Sequence, residues 1–301
     1  MSSYSSLSSY LLAVKLRSSK TLLVEGVSDK KIISHYILKR NHIDNTSADY
    51  CIDDASLIDD KTLGPIGAKD KIKSIANQVA AQNFRCLIDR EWDGLDSTSM
   101  EFEPITPPQN TFVTRGHSIE NYWFTPAAFI EFIIHTHHAA ITNEYLRKIE
   151  SLYLKILQFA AAYSLACRQL SIISRANEIL CHTNIELQEN GFAAKPCLDV
   201  KIATRGHQCD LRNTTNELIA QAQALEISKL QWICHGHLGE QAIRSCIALL
   251  AQLEGYNTQI IESIEYGHKA EKLKLDSDHL TSLPADVSMP LSEVLQWVRT
   301  G

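Results

Sequence analysis

The sequence predicts an α/β fold: a mainly parallel sheet with flanking helices, followed by a mostly helical C-terminal region. Two observations carry this. Short apolar runs alternate with helix-length amphipathic stretches through about the first 140 residues, which implies crossover connections between parallel strands. From about residue 141 the apolar residues recur at helical spacing. The expected division is 1–140, with a helical lead-in at 1–20, and 141–301.

The elements follow in order. "TLLVE" (21–25) reads as a buried strand ending on an acid. "SDKKIISHYILKR" reads as a helix with Ser28 as N-cap and Ile32, Ile33, Tyr36 and Ile37 on its apolar face. "ADYCID" (48–53) is a second strand, and the loop "DDKTLGPIG" leads into the helix "AKDKIKSIANQVAAQ". "FRCLID" (84–89) is a third strand that also ends on an acid. A polar, proline-bearing loop precedes the fourth strand, "NTFVTR" (110–115). Thr125 and Pro126 supply an N-cap and first-turn proline for "PAAFIEFIIHTHH". Beyond it, "NEYLRKIESLYLKILQFAAAYSLACRQL" is one long helix, with further helices near 213–226, 238–254 and 290–299. Only "CLDVKIA" reads as a strand in that half.

The 301 residues suffice for one large domain or two ordinary ones, and the composition, 45% hydrophobic and 21% charged, is globular. A formal net charge of -6 provides no global basic field, so nucleic-acid contact needs a local basic patch or a metal-bridged phosphate. Eight cysteines without a Cys-x-x-Cys pair read as reduced thiols. No segment approaches the roughly 18 apolar residues of a membrane span, and the expected location is the cytoplasm. A Walker-type phosphate loop is absent, which argues against ATP hydrolysis by this chain. The Cys- and His-bearing "WICHGHLGE" matches no common zinc spacing; Gly236 and Gly239 suggest a tight turn before "EQAIRSCIALLAQL".

In an open α/β sheet, sites form beyond the carboxyl ends of the strands. Glu25 closes strand one and Asp89 closes strand three; Glu91 and Asp93 follow in "DREWDG". Strand four is followed by His117, Glu120 and Asn121, and Asp29 lies one turn into the first strand's helix. Carboxylates gathered at one rim repel unless a cation neutralises them, and hard oxygen ligands suit Mg²⁺ or Mn²⁺.

The residues "VEGVSDK", "GAK" (67–69), "DRE" (89–91) and "HSIENY" (117–122) resemble the TOPRIM family, the metal-binding module of topoisomerases, primases and OLD-type nucleases. The fit is closest to a subgroup of OLD-like anti-phage nucleases that includes the PARIS-system effectors. The resemblance spans roughly residues 20 to 135. The second acid of the family's Asp-x-Asp is a glutamate here, so Glu91 or Asp93 takes that role.

The resemblance implies metal-dependent phosphodiester cleavage. Asp89 and Glu91 would hold the ion, with Glu120 as a further ligand, and Glu25 would act as ligand or as general base or acid. His117 would orient a phosphate, shuttle a proton or simply support a helix start; Asp29 and Asn121 would support the site. Lys30, Lys31, Lys69, Lys71 and Lys73 read either as local positive charge for a substrate or as a solvated helix face. The implied substrate is RNA, with transfer RNA favoured, and the implied role is a growth-arresting toxin. Implied partners are an ABC-type ATPase sensor subunit that restrains it and a second copy of the chain in the active state, with no membrane. The alternatives are a DNA-cleaving TOPRIM nuclease and a non-enzymatic interaction subunit of an ATPase complex.

Overall fold

The structure, a computed structural model, describes residues 3–60, 66–79, 81–137, 140–267 and 277–300. The chain divides into two compact units, one of Met1–Asp93, Pro104–Ile119 and Asp276–Gly301, the other of Gly94–Glu103 and Glu120–Leu275.

The first unit is the α/β part. Helix α1 (Leu7–Leu16) starts where the Ser6 hydroxyl accepts the Ser9 N–H, and it buries Leu7, Tyr10 and Val14. Then come β1 (Lys20–Val24), α2 (Val27–Ile43), β2 (Tyr50–Asp54), α3 (Ala68–Ala76) and β3 (Phe84–Ile88). In the second unit, β4 (Leu95–Asp96) and β5 (Glu101–Phe102) form a short antiparallel pair. The first unit resumes with β6 (Thr111–Val113).

The sheet is four-stranded and parallel, in the order β2-β1-β3-β6. Its strands read as near-continuous apolar runs because helices cover both faces. One face packs Leu23, Phe84, Cys86 and Ile88 against α1 and against Ile72, Ile75 and Ala76 of α3. Helix α2 buries the expected Ile32, Ile33, Tyr36 and Ile37. It begins two residues earlier than a Ser28 cap would give, at Val27, with Gly26 at the N-cap.

The order places a topological switch between β1 and β3, since the chain leaves β1 for β2 on one side and returns through α3 to β3 on the other. A crevice opens at such a point, beyond the carboxyl ends of the two strands.

The second unit is mainly helical. The 3-10 turn Ile119–Trp123 leads into α4 (Pro126–His137), where the Thr125 hydroxyl accepts the Ala128 N–H as the expected cap. His138 of the expected helix end lies outside the described residues. The expected long helix is α5 (Asn143–Gln169), followed by the short α6 (Ile173–Ala176).

Two strands absent from the sequence reading follow: β7 (Ile185–Gln188) and β8 (Gly191–Ala194), an antiparallel hairpin. "CLDVKIA" is a helix, α7 (Cys197–Thr204), not a strand. Leu198, Val200 and Ile202 alternate, but Leu198 and Ile202 are also one helical turn apart; only those two are buried, and Val200 is exposed. Then come α8 (Leu211–Ala222), α9 (Ile227–Ile233), α10 (Gly236–Leu253) and α11 (Thr258–Tyr266). The expected glycine turn before α10 is instead its first helical turn, entered from His235. The last helix, α12 (Leu291–Arg299), belongs to the first unit.

Candidate active site at the carboxyl rim of the sheet

Glu25 is the residue after β1 and Asp89 the residue after β3, so both stand at the switch point. They are linked through the backbone: the Asp89 N–H donates to Glu25 Oε1 at 2.8 Å. The Asp89 carboxylate accepts the Ile119 N–H on Oδ1 at 3.1 Å, which ties the β3 end to the segment after β6. Burial pushes the Glu25 carboxyl up to about 7. The Glu91 and Asp29 carboxylates add to this, and the Asp89 N–H and Lys69 ammonium oppose it.

Asp29 sits in the first turn of α2 and accepts the Gly26 N–H at 2.9 Å, capping the helix that leaves the rim. Gly26 is extended, with φ -131°, and a Cβ there would meet its nearest neighbour, Asp29 Oδ2, at 3.4 Å. Neither backbone conformation nor crowding therefore demands glycine at this turn.

Glu91 and Asp93 share one cation. Lys69, in the first turn of α3, is buried, and its ammonium donates to the Arg90 carbonyl at 2.9 Å and to Glu91 Oε2 at 3.0 Å. It also pairs with Asp93 Oδ2 at 3.1 Å, which Lys73 approaches at 3.6 Å. Burial alone would raise the Asp93 carboxyl, but the two lysines hold it below its ordinary value. The Glu91 backbone is left-handed, φ 55°, and its N–H donates to the His117 carbonyl at 2.6 Å. A non-glycine residue in this region carries strain of order 1–3 kcal/mol, sustained by the surrounding contacts.

His117 is buried, with its ring edge-on to Trp92 at 4.5 Å between centroids. Lys30 reaches Asp54 Oδ2 at 3.5 Å. The exposed faces expected of the lysines fit Lys31 only: Lys71 donates to the carbonyls of Ala55 and Ile58, and Lys69 is the cation of the acid cluster.

Glu120 and Asn121 fall in the second unit. Asn121 is a structural tie there. Its fully buried amide donates to the carbonyls of Gln231 at 2.7 Å and Cys234 at 2.9 Å, and the Gln231 amide donates back to the Asn121 carbonyl at 2.7 Å. Glu120 lies 3.6 Å from His237. Among the described residues no group of three or more His, Cys, Asp or Glu side chains is gathered as a metal-binding set. Glu91 and Asp93, two of the expected ligands, are turned to Lys69 instead.

The sequence reading also missed the end of β2, where Asp53 and Asp54 are both buried. Asp53 pairs with Arg17 at 2.5 Å, and Asp54 accepts the Ser56 N–H at 3.2 Å. The signal was present, since "CIDD" ends on acids as the stretches "TLLVE" and "FRCLID" do.

Together these define a parallel α/β unit with an acidic, partly buried rim at its topological switch point. No protein-family model matches the chain, and a search of curated proteins finds none that matches it.

Proposed function

We propose that the chain is a metal-dependent nuclease: a phosphodiester-cleaving effector of an anti-phage defence system, acting on transfer RNA and restrained by an ABC-type ATPase partner. The reading rests on the sequence resemblance to TOPRIM nucleases of the OLD-like group, including AriB-type effectors of PARIS systems. The observation that supports it best is the pairing of Glu25 with Asp89 across the switch point, the two positions the resemblance marks.

The donor set fits Mg²⁺ or Mn²⁺. It consists of carboxylate oxygens, and a hard divalent cation would offset the repulsion that the Glu91 and Asp29 carboxylates add to burial at Glu25. Glu25 and Asp89 would hold the ion, joined by Glu91 when it leaves Lys69. Bound there, the metal supplies Lewis-acid polarisation of the phosphate and a more acidic attacking water.

The chain's own groups do the rest. Where Glu25 is not itself a ligand, its carboxyl, pushed up to about 7, can take or return one proton near neutrality; where it ligates the ion it would be held as the carboxylate, so ligand and general base are alternative roles. Lys69 pairs with both Glu91 and Asp93 and helps hold the Asp93 carboxyl below its ordinary value, and His117, packed on Trp92, braces the Glu91 backbone through its carbonyl.

The test is cleavage of transfer RNA, with plasmid DNA in parallel, by wild type and Glu25→Ala, with and without Mg²⁺. Mg²⁺-dependent loss of intact transfer RNA with wild type alone is expected. Equal cleavage by both proteins would remove Glu25 from the mechanism, and cleavage of plasmid alone would redirect the substrate to DNA.

A further inference from the structure

A cleft of about 770 Å³ opens in the first unit, away from the acid pair but adjoining it through Arg90. That volume lies within the range of about 300–1,000 Å³ typical of ligand-binding clefts. Five consecutive residues, 111 to 115, line it. Side chains of a strand alternate between its faces, so a cleft touching every residue in succession runs along the strand's edge.

Backbone parity leads to the same conclusion. On the β3 side, Cys86 N–H donates to the Asn110 carbonyl at 2.8 Å and Thr114 N–H to the Ile88 carbonyl at 3.0 Å. With Ile88 opposite Val113 in this parallel register, residues 110, 112 and 114 spend their backbone groups on β3. The N–H and carbonyl of Val113 therefore point the other way, into the cleft. Among the described residues β6 is the last strand of the sheet, and no strand pairs with it on that side.

We propose that this cleft is a docking groove for an extended peptide segment of a partner protein, which adds to β6 as a fifth strand. The remaining lining selects that occupant. Pro104, Ile105 and Pro107 on one segment, and Met289 and Pro290 on another, supply apolar contact. These segments would have to be displaced for the folded sheet edge of a second copy to reach β6, whereas a single extended chain lies among them. Arg90 and Arg115 supply positive charge, and Asp286 and Glu293 supply negative charge. The two carboxylates disfavour a polyanion such as nucleic acid, while the mixed signs complement a polypeptide that carries both. Main-chain hydrogen bonds to Val113 would give affinity, and the charges would set register and specificity. Five paired residues would extend roughly 17 Å along the edge.

The test is panning a phage-displayed random dodecapeptide library against the full chain, then measuring the enriched peptides as synthetic probes by fluorescence anisotropy. Val113→Pro deletes the outward N–H while leaving the β3 bonds intact, a substitution an edge strand tolerates. Its folding is verified by circular dichroism and thermal melting. Expected are peptides alternating apolar and polar residues with at least one acid, bound at least tenfold more weakly by folded Val113→Pro and by Arg115→Glu. Peptide binding also slows hydrogen exchange at the Val113 amide. No enrichment, or equal binding by wild type and Val113→Pro, overturns the proposal. So does a fluorescein-labelled uridine dodecamer that binds wild type and loses binding in both variants, which would make the groove a nucleic-acid site. None of these readouts depends on cleavage.

Discussion

Replacing Glu25 by Gln removes a part-buried charge from the rim and keeps its shape, because the amide oxygen still accepts the Asp89 N–H. Burial pushes the native Glu25 carboxyl up to about 7, whereas in the unfolded chain it has its ordinary value of 4.5. Between those values the folded state holds a proton that the unfolded state has lost. Stability therefore falls as pH rises through this window, and stays reduced above it. At about 1.4 kcal/mol per pH unit the full interval is worth about 3 kcal/mol, and residual solvent contact lowers this to about 2 kcal/mol. Gln carries no such titration. Urea unfolding followed by circular dichroism should give equal midpoints for the two proteins at pH 4.5, and a more stable Glu25→Gln at pH 8. In thermal melts a difference of about 2 kcal/mol appears as roughly 4–8 °C for a unit of this size. Millimolar Mg²⁺ should narrow the gap at pH 8 by stabilising wild type alone. A difference that is the same at pH 4.5 and pH 8, or a less stable variant at pH 8, would refute the account of Glu25 as a desolvated, like-charge-crowded carboxyl.

Three further outcomes follow from neighbouring geometry. Lys69→Met strips the shared cation from Glu91 and Asp93; the Asp93 carboxyl should rise toward its ordinary value in a side-chain NMR titration, with about 1–2 kcal/mol of stability lost in urea unfolding. Gly239→Ala sets a Cβ 2.7 Å from Cys234 Cβ and 3.1 Å from the Phe124 ring, and overpacking of this kind should cost about 1–3 kcal/mol by thermal melting. Asn121→Ala strands two buried carbonyls, so it should lose about 2–3 kcal/mol by chemical denaturation, and the isosteric Asn121→Asp should not rescue it because a carboxylate cannot donate to them.

β1 and β3 were legible because all but one residue of each is buried, so they appear as nearly continuous apolar runs, each followed by an acid. The long helices were legible for the opposite reason, a sustained 3.6-residue period that strands cannot imitate. Legibility failed where a segment was short enough to satisfy both periods. Leu198 and Ile202 fit either, and the decisive fact, that Val200 faces outward, is tertiary. The β7–β8 hairpin was hidden differently: its reversal, at Glu189 and Asn190, follows a strand with one buried residue and precedes a strand with four, so neither side alternates. The glycines of α10 misled because glycine is read as a turn former, whereas Gly239 is required by the close approach of Cys234 and Phe124 to a continuous helix.

The acids of the rim could be found from sequence because strand ends are one-dimensional features, but their partners could not. Whether Glu91 or Asp93 is the second acid looked like a choice between two ligands. The left-handed turn at Glu91 brings both carboxylates to Lys69, so the pair acts as one unit held by one ammonium. That also changes the meaning of the lysines. A lysine at the start of α3 reads as solvated because helix starts are usually exposed, yet Lys69 is buried, and an unpaired ammonium there would carry a desolvation penalty of several kcal/mol. Its three donors are accounted for by the Arg90 carbonyl and the two carboxylates. A divalent ion drawing Glu91 to Asp89 would therefore have to take it from Lys69, which would keep Asp93 as its remaining counter-charge. The Gly-x-Lys helix start and the acid-bearing loop after β3 are thus two halves of a single electrostatic device, separated by 22 positions in the chain and joined only by the β3 crossover.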